Sequence, residues 1–139
     1  MIKFDSEKLV KFACEARENS YSPYSKFRVG AALLASSGEI FTGTNIENIS
    51  YGLTICAERV ACCKAVSEGV REFVAVAVVT SSSAYPCGAC RQVLSEFKVP
   101  HVLICDAEGK ITEELSMEEL LPKNFDFLAK PLSGSKNHH

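Results

Sequence analysis

Cys87-Gly88-Ala89-Cys90 is the stretch of this 139-residue chain best equipped for chemistry. Pro86 suits a helix entrance, so the two thiols fall at i and i+3 on one helix face, beside unpaired backbone N–H groups that favour thiolate. A CxxC pair by itself fits several chemistries. Cys56 opens the preceding predicted helix, and in an open α/β sheet both helix starts converge beyond the carboxyl ends of the strands. Three thiolates make an incomplete tetrahedron. Zn²⁺ is its natural occupant, and three protein ligands with a fourth position left to water mark a catalytic site. Glu58, two residues after Cys56, is too close to be a fourth ligand but is suited to hydrogen-bond the water and shuttle its proton. Zinc lowers the pKa of bound water from 15.7 to about 7. Three thiolates leave the centre net negative, which weakens zinc as a Lewis acid unless a cation draws charge from the sulfurs. Arg59, one turn beyond Cys56, supplies that cation.

The elements that must hold these residues follow from pattern and punctuation. Asp5 is available as N-cap of a helix from about Ser6 to Asn19, with Leu9, Val10, Ala13 and Ala16 on one face and Phe4 stapled onto Leu9. Phe27 to Leu34 reads as a strand, turned by Ser36-Ser37-Gly38 into Glu39 to Thr44 as an antiparallel hairpin. The loop Asn45-Ile46-Glu47-Asn48-Ile49-Ser50-Tyr51-Gly52 is polar without a packing explanation. It leads to a helix from about Cys56 to Glu68, ended by Gly69. Phe73 to Thr80 is a nearly continuous apolar, β-branched run, as a central strand requires. A helix from about Cys87 to Phe97 and a strand from Val99 to Cys105 follow, and Ile111-Thr112 adds a short edge strand. Ser116-Met117-Glu118-Glu119 is a capping box opening a short helix stopped by Pro122. This order specifies an α/β fold with a mixed sheet, its later strands parallel and joined by right-handed helical crossovers.

Length and composition bound the function. The chain supports one domain, expected over 1–130, with a polar tail, 131–139, whose His138-His139 pair is excluded from site reasoning. With 47% hydrophobic residues it can bury a core. Fifteen Lys and Arg against seventeen Asp and Glu give a net charge of -2, without the basic excess that nucleic-acid or membrane-surface binding demands. No apolar run spans a bilayer and the N-terminus offers no signal segment, so the expected location is cytoplasmic. Seven cysteines are an odd number in a chain with a sufficient core, which argues against a secreted disulfide scaffold and for metal or redox chemistry.

Taken together, Cys56-Ala57-Glu58 and Pro86-Cys87-Gly88-Ala89-Cys90 resemble the signature of zinc nucleoside and nucleobase deaminases, in the variant with cysteine in place of histidine at the first ligand position. The wider match runs from Leu9 to about Phe127. It passes through Phe27-Arg28-Val29-Gly30-Ala31-Ala32, Asn45-Ile46-Glu47-Asn48, Cys56-Ala57-Glu58-Arg59, Pro86 to Gln92 and Glu119-Leu120-Leu121-Pro122, and resembles the small homotetrameric cytidine deaminases of the cytidine and deoxycytidylate deaminase superfamily. The resemblance implies a three-layer α-β-α sandwich on a mixed sheet of about five strands. It implies one Zn²⁺ per subunit on Cys56, Cys87 and Cys90, with Glu58 as proton shuttle and Arg59 on the ligand thiolates. It further implies that Asn45 and Glu47 bind the ribose hydroxyls, that Phe27 packs on the pyrimidine and that the Ala57 backbone helps read the base. Tyr51 and Phe125 help complete a neighbouring subunit's pocket in such tetramers, although Asp126-Phe127-Leu128 departs from the usual tail. The implied reaction is hydrolysis at C4 of cytosine in cytidine or deoxycytidine, giving uridine or deoxyuridine and ammonia. Aromatic stacking and an Asn/Glu pair for ribose favour the nucleosides over free cytosine.

Three rival readings stand beside it. A dithiol redox protein needs only Cys87 and Cys90 and predicts a disulfide. A structural zinc module needs a fourth ligand, for which His101, Cys105, Cys62 and Cys63 are candidates, each with a plainer role as core or strand residue. A related zinc deaminase keeps the chemistry and takes another aminated base or nucleoside. Arg91 either supports the thiolates or sits on the helix surface; spacing does not decide.

Overall fold

The computed structural model describes residues 3–125; the expected tail 131–139 and Phe127 lie outside them. Helix α1 (Ser6–Arg17) starts where Asp5 accepts a hydrogen bond from the Lys8 amide at 3.0 Å, as its capping position requires. Strands β1 (Gly30–Ala35) and β2 (Ile40–Thr44) form the hairpin, with Gly38 at φ 97° in the turn. A short 3-10 helix, Tyr51–Leu53, precedes α2 (Ala57–Ser67), which Gly69 ends at φ 89°. Then come β3 (Phe73–Val79), α3 (Gly88–Glu96), β4 (His101–Cys105), β5 (Ile111–Ser116) and α4 (Met117–Leu120), the last opened by the expected capping box between Ser116 and Glu119.

The sheet order is β2-β1-β3-β4-β5. β1 is antiparallel to both neighbours, β3 and β4 are parallel through α3, and β5 returns antiparallel to β4. The strand β3 is buried at every residue because both of its faces are covered. One cluster joins Leu9, Val10 and Ala13 of α1 to Ala75, Ala77 and Val79. The other joins Ala61, Cys62 and Ala65 of α2 and Leu94 of α3 to Val76, Val78 and Ile104. Helices therefore cover both faces, and the fold is the expected three-layer sandwich on a five-stranded mixed sheet.

Two glycines set how closely those layers approach. A Cβ on Gly30 would lie 2.1 Å from the Ala13 carbonyl oxygen of α1, and one on Gly43 would lie 2.2 Å from the Ala57 oxygen and 2.6 Å from the Ala61 nitrogen of α2. These are backbone contacts that a side chain cannot yield to. Gly43→Ala is expected to cost about 3 kcal/mol by overpacking and to lower Tm by about 10 °C. Because the displaced backbone is the first turn of α2, activity should fall with it. An unchanged melting curve by circular dichroism counts against this packing argument.

Two elements differ from expectation by three residues or more, while α1 ends at Arg17 rather than Asn19 and β4 begins at His101 rather than Val99. β1 begins at Gly30 rather than Phe27, because the Asn45 side chain, not a neighbouring strand, takes the Phe27 carbonyl and the Val29 amide at 2.7 and 3.0 Å. β5 spans six residues rather than Ile111-Thr112 alone. Its pairing with β4 overrides the low strand preference of Glu113 and Glu114, and exposed charges suit an edge strand by discouraging further pairing.

Candidate active site

Cys56 is the N-cap of α2 and Cys87 the N-cap of α3, both with extended backbone. α2 connects β2 to β3 across β1, which separates them in the sheet, so the two helices lie on one face. Cys90 is one turn into α3 and fully buried. The Cys56 and Cys87 sulfurs are 3.7 Å apart and those of Cys87 and Cys90 3.6 Å, with all three within 4.8 Å of one another. Sulfurs held at about 2.3 Å around one tetrahedral centre sit about 3.8 Å apart, so this spacing fits a single Zn²⁺. All seven cysteines are free thiols, and among the described residues no His, Asp, Glu or fourth Cys joins the cluster. His101, Cys105, Cys62 and Cys63 are therefore not part of it.

Charge compensation is in place. Arg59 Nη2 donates to the Cys56 sulfur at 3.5 Å, and the Arg59 pKa is raised, first by that bond. The Arg59 Nε–H is buried without a partner among the described residues. The Cys56 thiol is pulled down to about 5, first by the hydrogen bond from Cys90 and, against the effect of burial, also by Arg59. Cys90 moves the other way, up, because it donates to Cys56 and is buried. Three convergent sulfurs beside the partly buried Arg59 side chain form a site for a soft divalent cation.

Glu58, in the first turn of α2, is 4% exposed, and burial lifts its carboxyl from 4.5 to about 7. A carboxyl so tuned takes up and releases a proton near neutrality. It lines a cavity of about 180 Å³ together with Cys56, Cys87, Phe27 and Asn45. Ala57, fully buried, is the residue between ligand and carboxylate.

The polar loop is organised in detail. Asn45 Oδ1 accepts from Ser20 Oγ and from the Val29 amide, and its Nδ2 donates to the Phe27 carbonyl. Glu47 Oε1 accepts the Tyr24 and Ser25 amides at 2.9 and 3.1 Å, and Oε2 accepts the Ser25 hydroxyl. These bonds, the Ser25 hydroxyl first, hold the Glu47 carboxyl below its usual range. An amide has two N–H donors and a carboxylate roughly four acceptor positions, so each side chain keeps about one free for a ligand. Tyr51 and Phe125 are each 75% exposed and do not line the cavity within the single chain; Tyr51 packs edge-on against Tyr24.

Some features escaped sequence reasoning. Thr80 and Tyr85 line the cavity, and Tyr85 donates to Glu113 of β5 at 2.5 Å. An aromatic residue directly before Pro86 was the available signal. Arg91 neither reaches the thiolates nor lies idle: it bonds the Pro86 and Leu120 carbonyls, each at 2.9 Å, tying the ligand turn to α4.

Residues 4–106 match the family model described as cytidine and deoxycytidylate deaminase zinc-binding region. A cytidine deaminase of Halalkalibacterium halodurans is 49% identical over 131 residues, covering 87% of this chain and 94% of that protein. One from Sporosarcina psychrophila is 53% identical over 126 residues, covering 87% and 91%. The crystal structure of cytidine deaminase from Burkholderia pseudomallei superposes with a TM-score of 0.83 at 44% identity, covering 88% of this chain and all of that one. Matched by that model over residues 4–106 of its 139 and by these relatives over most of its length, the chain belongs to the cytidine and deoxycytidylate deaminase family.

Proposed function

We infer that this chain catalyses the zinc-dependent hydrolytic deamination of cytidine and deoxycytidine to uridine and deoxyuridine, with release of ammonia, as a step of pyrimidine salvage. The observation that carries the reading is the buried Glu58 carboxyl in one cavity with Cys56 and Cys87. Zn²⁺ held by Cys56, Cys87 and Cys90 would supply Lewis acidity that brings the pKa of coordinated water down to about 7. Glu58 takes the proton from the attacking water and returns it to N3 of the pyrimidine as C4 becomes tetrahedral. Glu58 then carries the proton of the new C4 hydroxyl to the exocyclic amine; the C4–N bond breaks, ammonia departs and the C4 carbonyl forms, so both protons of the water are accounted for. Phe27 packs against the base, the Ala57 backbone reads its edge, and Asn45 and Glu47 each offer one position to a ribose hydroxyl. Arg59 holds charge on the ligand sulfurs.

The deaminase domain is taken to span 1–130. The rim residues Ile49, Tyr51 and Leu53 are 80%, 75% and 66% exposed, which supports an assembly of copies, a homotetramer with Tyr51 and Phe125 contributing to neighbouring pockets. Seven free thiols suit a reducing compartment such as the cytoplasm.

The test is purified, zinc-loaded protein with cytidine, followed by the ultraviolet change and by ammonia. Uridine and ammonia in equal amounts are expected. Retained zinc with untouched cytidine removes the nucleoside reading and points to another aminated base.

A further inference from the structure

We propose that Ser25 is a positioning residue that ties ribose reading at Glu47 to base packing at Phe27. The link rests on the site reading above and on a continuous chain of hydrogen bonds. The Phe27 amide donates to Ser25 Oγ at 3.0 Å, and the Ser25 hydroxyl donates in turn to Glu47 Oε2. The serine hydroxyl thus has its donor and an acceptor position committed in one direction, toward the carboxylate, and such chains polarise cooperatively. The other backbone group of Phe27, its carbonyl, is held by Asn45 Nδ2 at 2.7 Å. The backbone carbonyl of Phe27 is therefore anchored directly on Asn45, and its amide on Glu47 through the Ser25 hydroxyl.

The backbone between these anchors carries the signature of an imposed conformation. Lys26, between Ser25 and Phe27, adopts φ 62°, a left-handed conformation that a residue with a Cβ rarely takes. Such conformations persist where the surroundings over-determine them. Here the Tyr24 and Ser25 amides are pinned to Glu47 Oε1 on one side, and Lys26 N bonds the Ser22 carbonyl at 3.0 Å. Phe27 is consequently aimed into the cavity by Glu47 acting through Ser25, and not by packing alone: Phe27 is 37% exposed and belongs to neither buried cluster.

The consequence is a nucleoside-specific coupling. A ribose hydroxyl arriving on Glu47 meets a carboxylate already aligned with the ring that receives the base. Removing the Ser25 hydroxyl should misalign the two without touching the metal ligands or Glu58.

The experiment compares wild type, Ser25→Ala, Ser25→Thr, Glu47→Gln and the double variant Ser25→Ala/Glu47→Gln, all zinc-loaded. A hydrogen bond to a charged group has a worth that corresponds to about tenfold or more in affinity, so Ser25→Ala should raise KM for cytidine about tenfold while kcat changes little. Ser25→Thr, which keeps the hydroxyl, should recover most of the loss. Residues in one network are non-additive, so the double variant should be no worse than Glu47→Gln within about twofold. Residue-resolved amide exchange by NMR supplies a readout that needs no turnover: the Phe27 amide should exchange about tenfold faster in Ser25→Ala and also faster in Glu47→Gln, with β3 amides unchanged.

Multiplying KM effects in the double variant, or a Phe27 amide indifferent to Glu47→Gln, overturns the link. A wild type inert toward cytidine overturns the proposed function instead, and the exchange comparison then decides the link by itself.

Discussion

Glu58→Gln is expected to keep zinc at one ion per chain and to lower kcat for cytidine by about a hundredfold to ten-thousandfold, the range that a positioned general acid–base contributes. Glutamine keeps the shape and burial of the side chain, so the cavity and the neighbouring Cys56 are undisturbed; it loses only the ability to accept a proton and hand it on. Stability separates this loss from misfolding. Burial raises the wild-type carboxyl from 4.5 to about 7, so the unfolded chain binds fewer protons than the folded one between those values. The stability linked to Glu58 is therefore full below the unfolded value and declines as pH rises toward 7. Glutamine has no such decline, and at pH 8 the variant stripped of zinc by chelator should have a Tm no lower than that of wild type treated alike. Kinetics, zinc analysis and melting on one preparation check all three; near-normal kcat removes Glu58 from the mechanism.

Cys87→Ser is expected to act through the metal. A hydroxyl is a harder and far less acidic ligand than a thiolate, and loss of groups that merely orient ligands already weakens metal binding about 10- to 100-fold. Loss of a ligand should exceed that, more than about a hundredfold, and activity should fall in proportion to zinc content measured after dialysis against a chelator. Cys87 is exposed and caps α3 without a side-chain bond to the backbone, so the metal-free fold should tolerate serine. Full zinc retention in this variant shows that the ligand set is wrong.

What could be read in the chain and what could not divide along physical lines. The ligand turn was legible because Pro86, Gly88 and Ala89 set a helix start locally, and a local helix start fixes the i, i+3 relation of Cys87 and Cys90. The same holds for Cys56 and Glu58 at the head of α2 and for the capping box of α4. The edge strand β5 was underestimated because its pairing with β4, not its own Glu113-Glu114, decides its length. Arg91 and Tyr85 could not be assigned from spacing, since their partners, Leu120 and Glu113, are 29 and 28 residues away.

Residue types and short spacings at two helix starts narrow the chemistry to a thiolate centre with an adjacent carboxyl, and the apolar run of β3 specifies a central strand covered on both faces. Only the tertiary structure decided the distances at which that chemistry can run. The 3.6 and 3.7 Å sulfur separations, the burial that lifts Glu58, and the commitment of Asn45 and Glu47 to the loop bearing Phe27 all depend on contacts between distant segments. Those contacts arise when Gly30 and Gly43 let α1 and α2 close onto the sheet, and close packing is a property of the assembled layers that no local pattern contains.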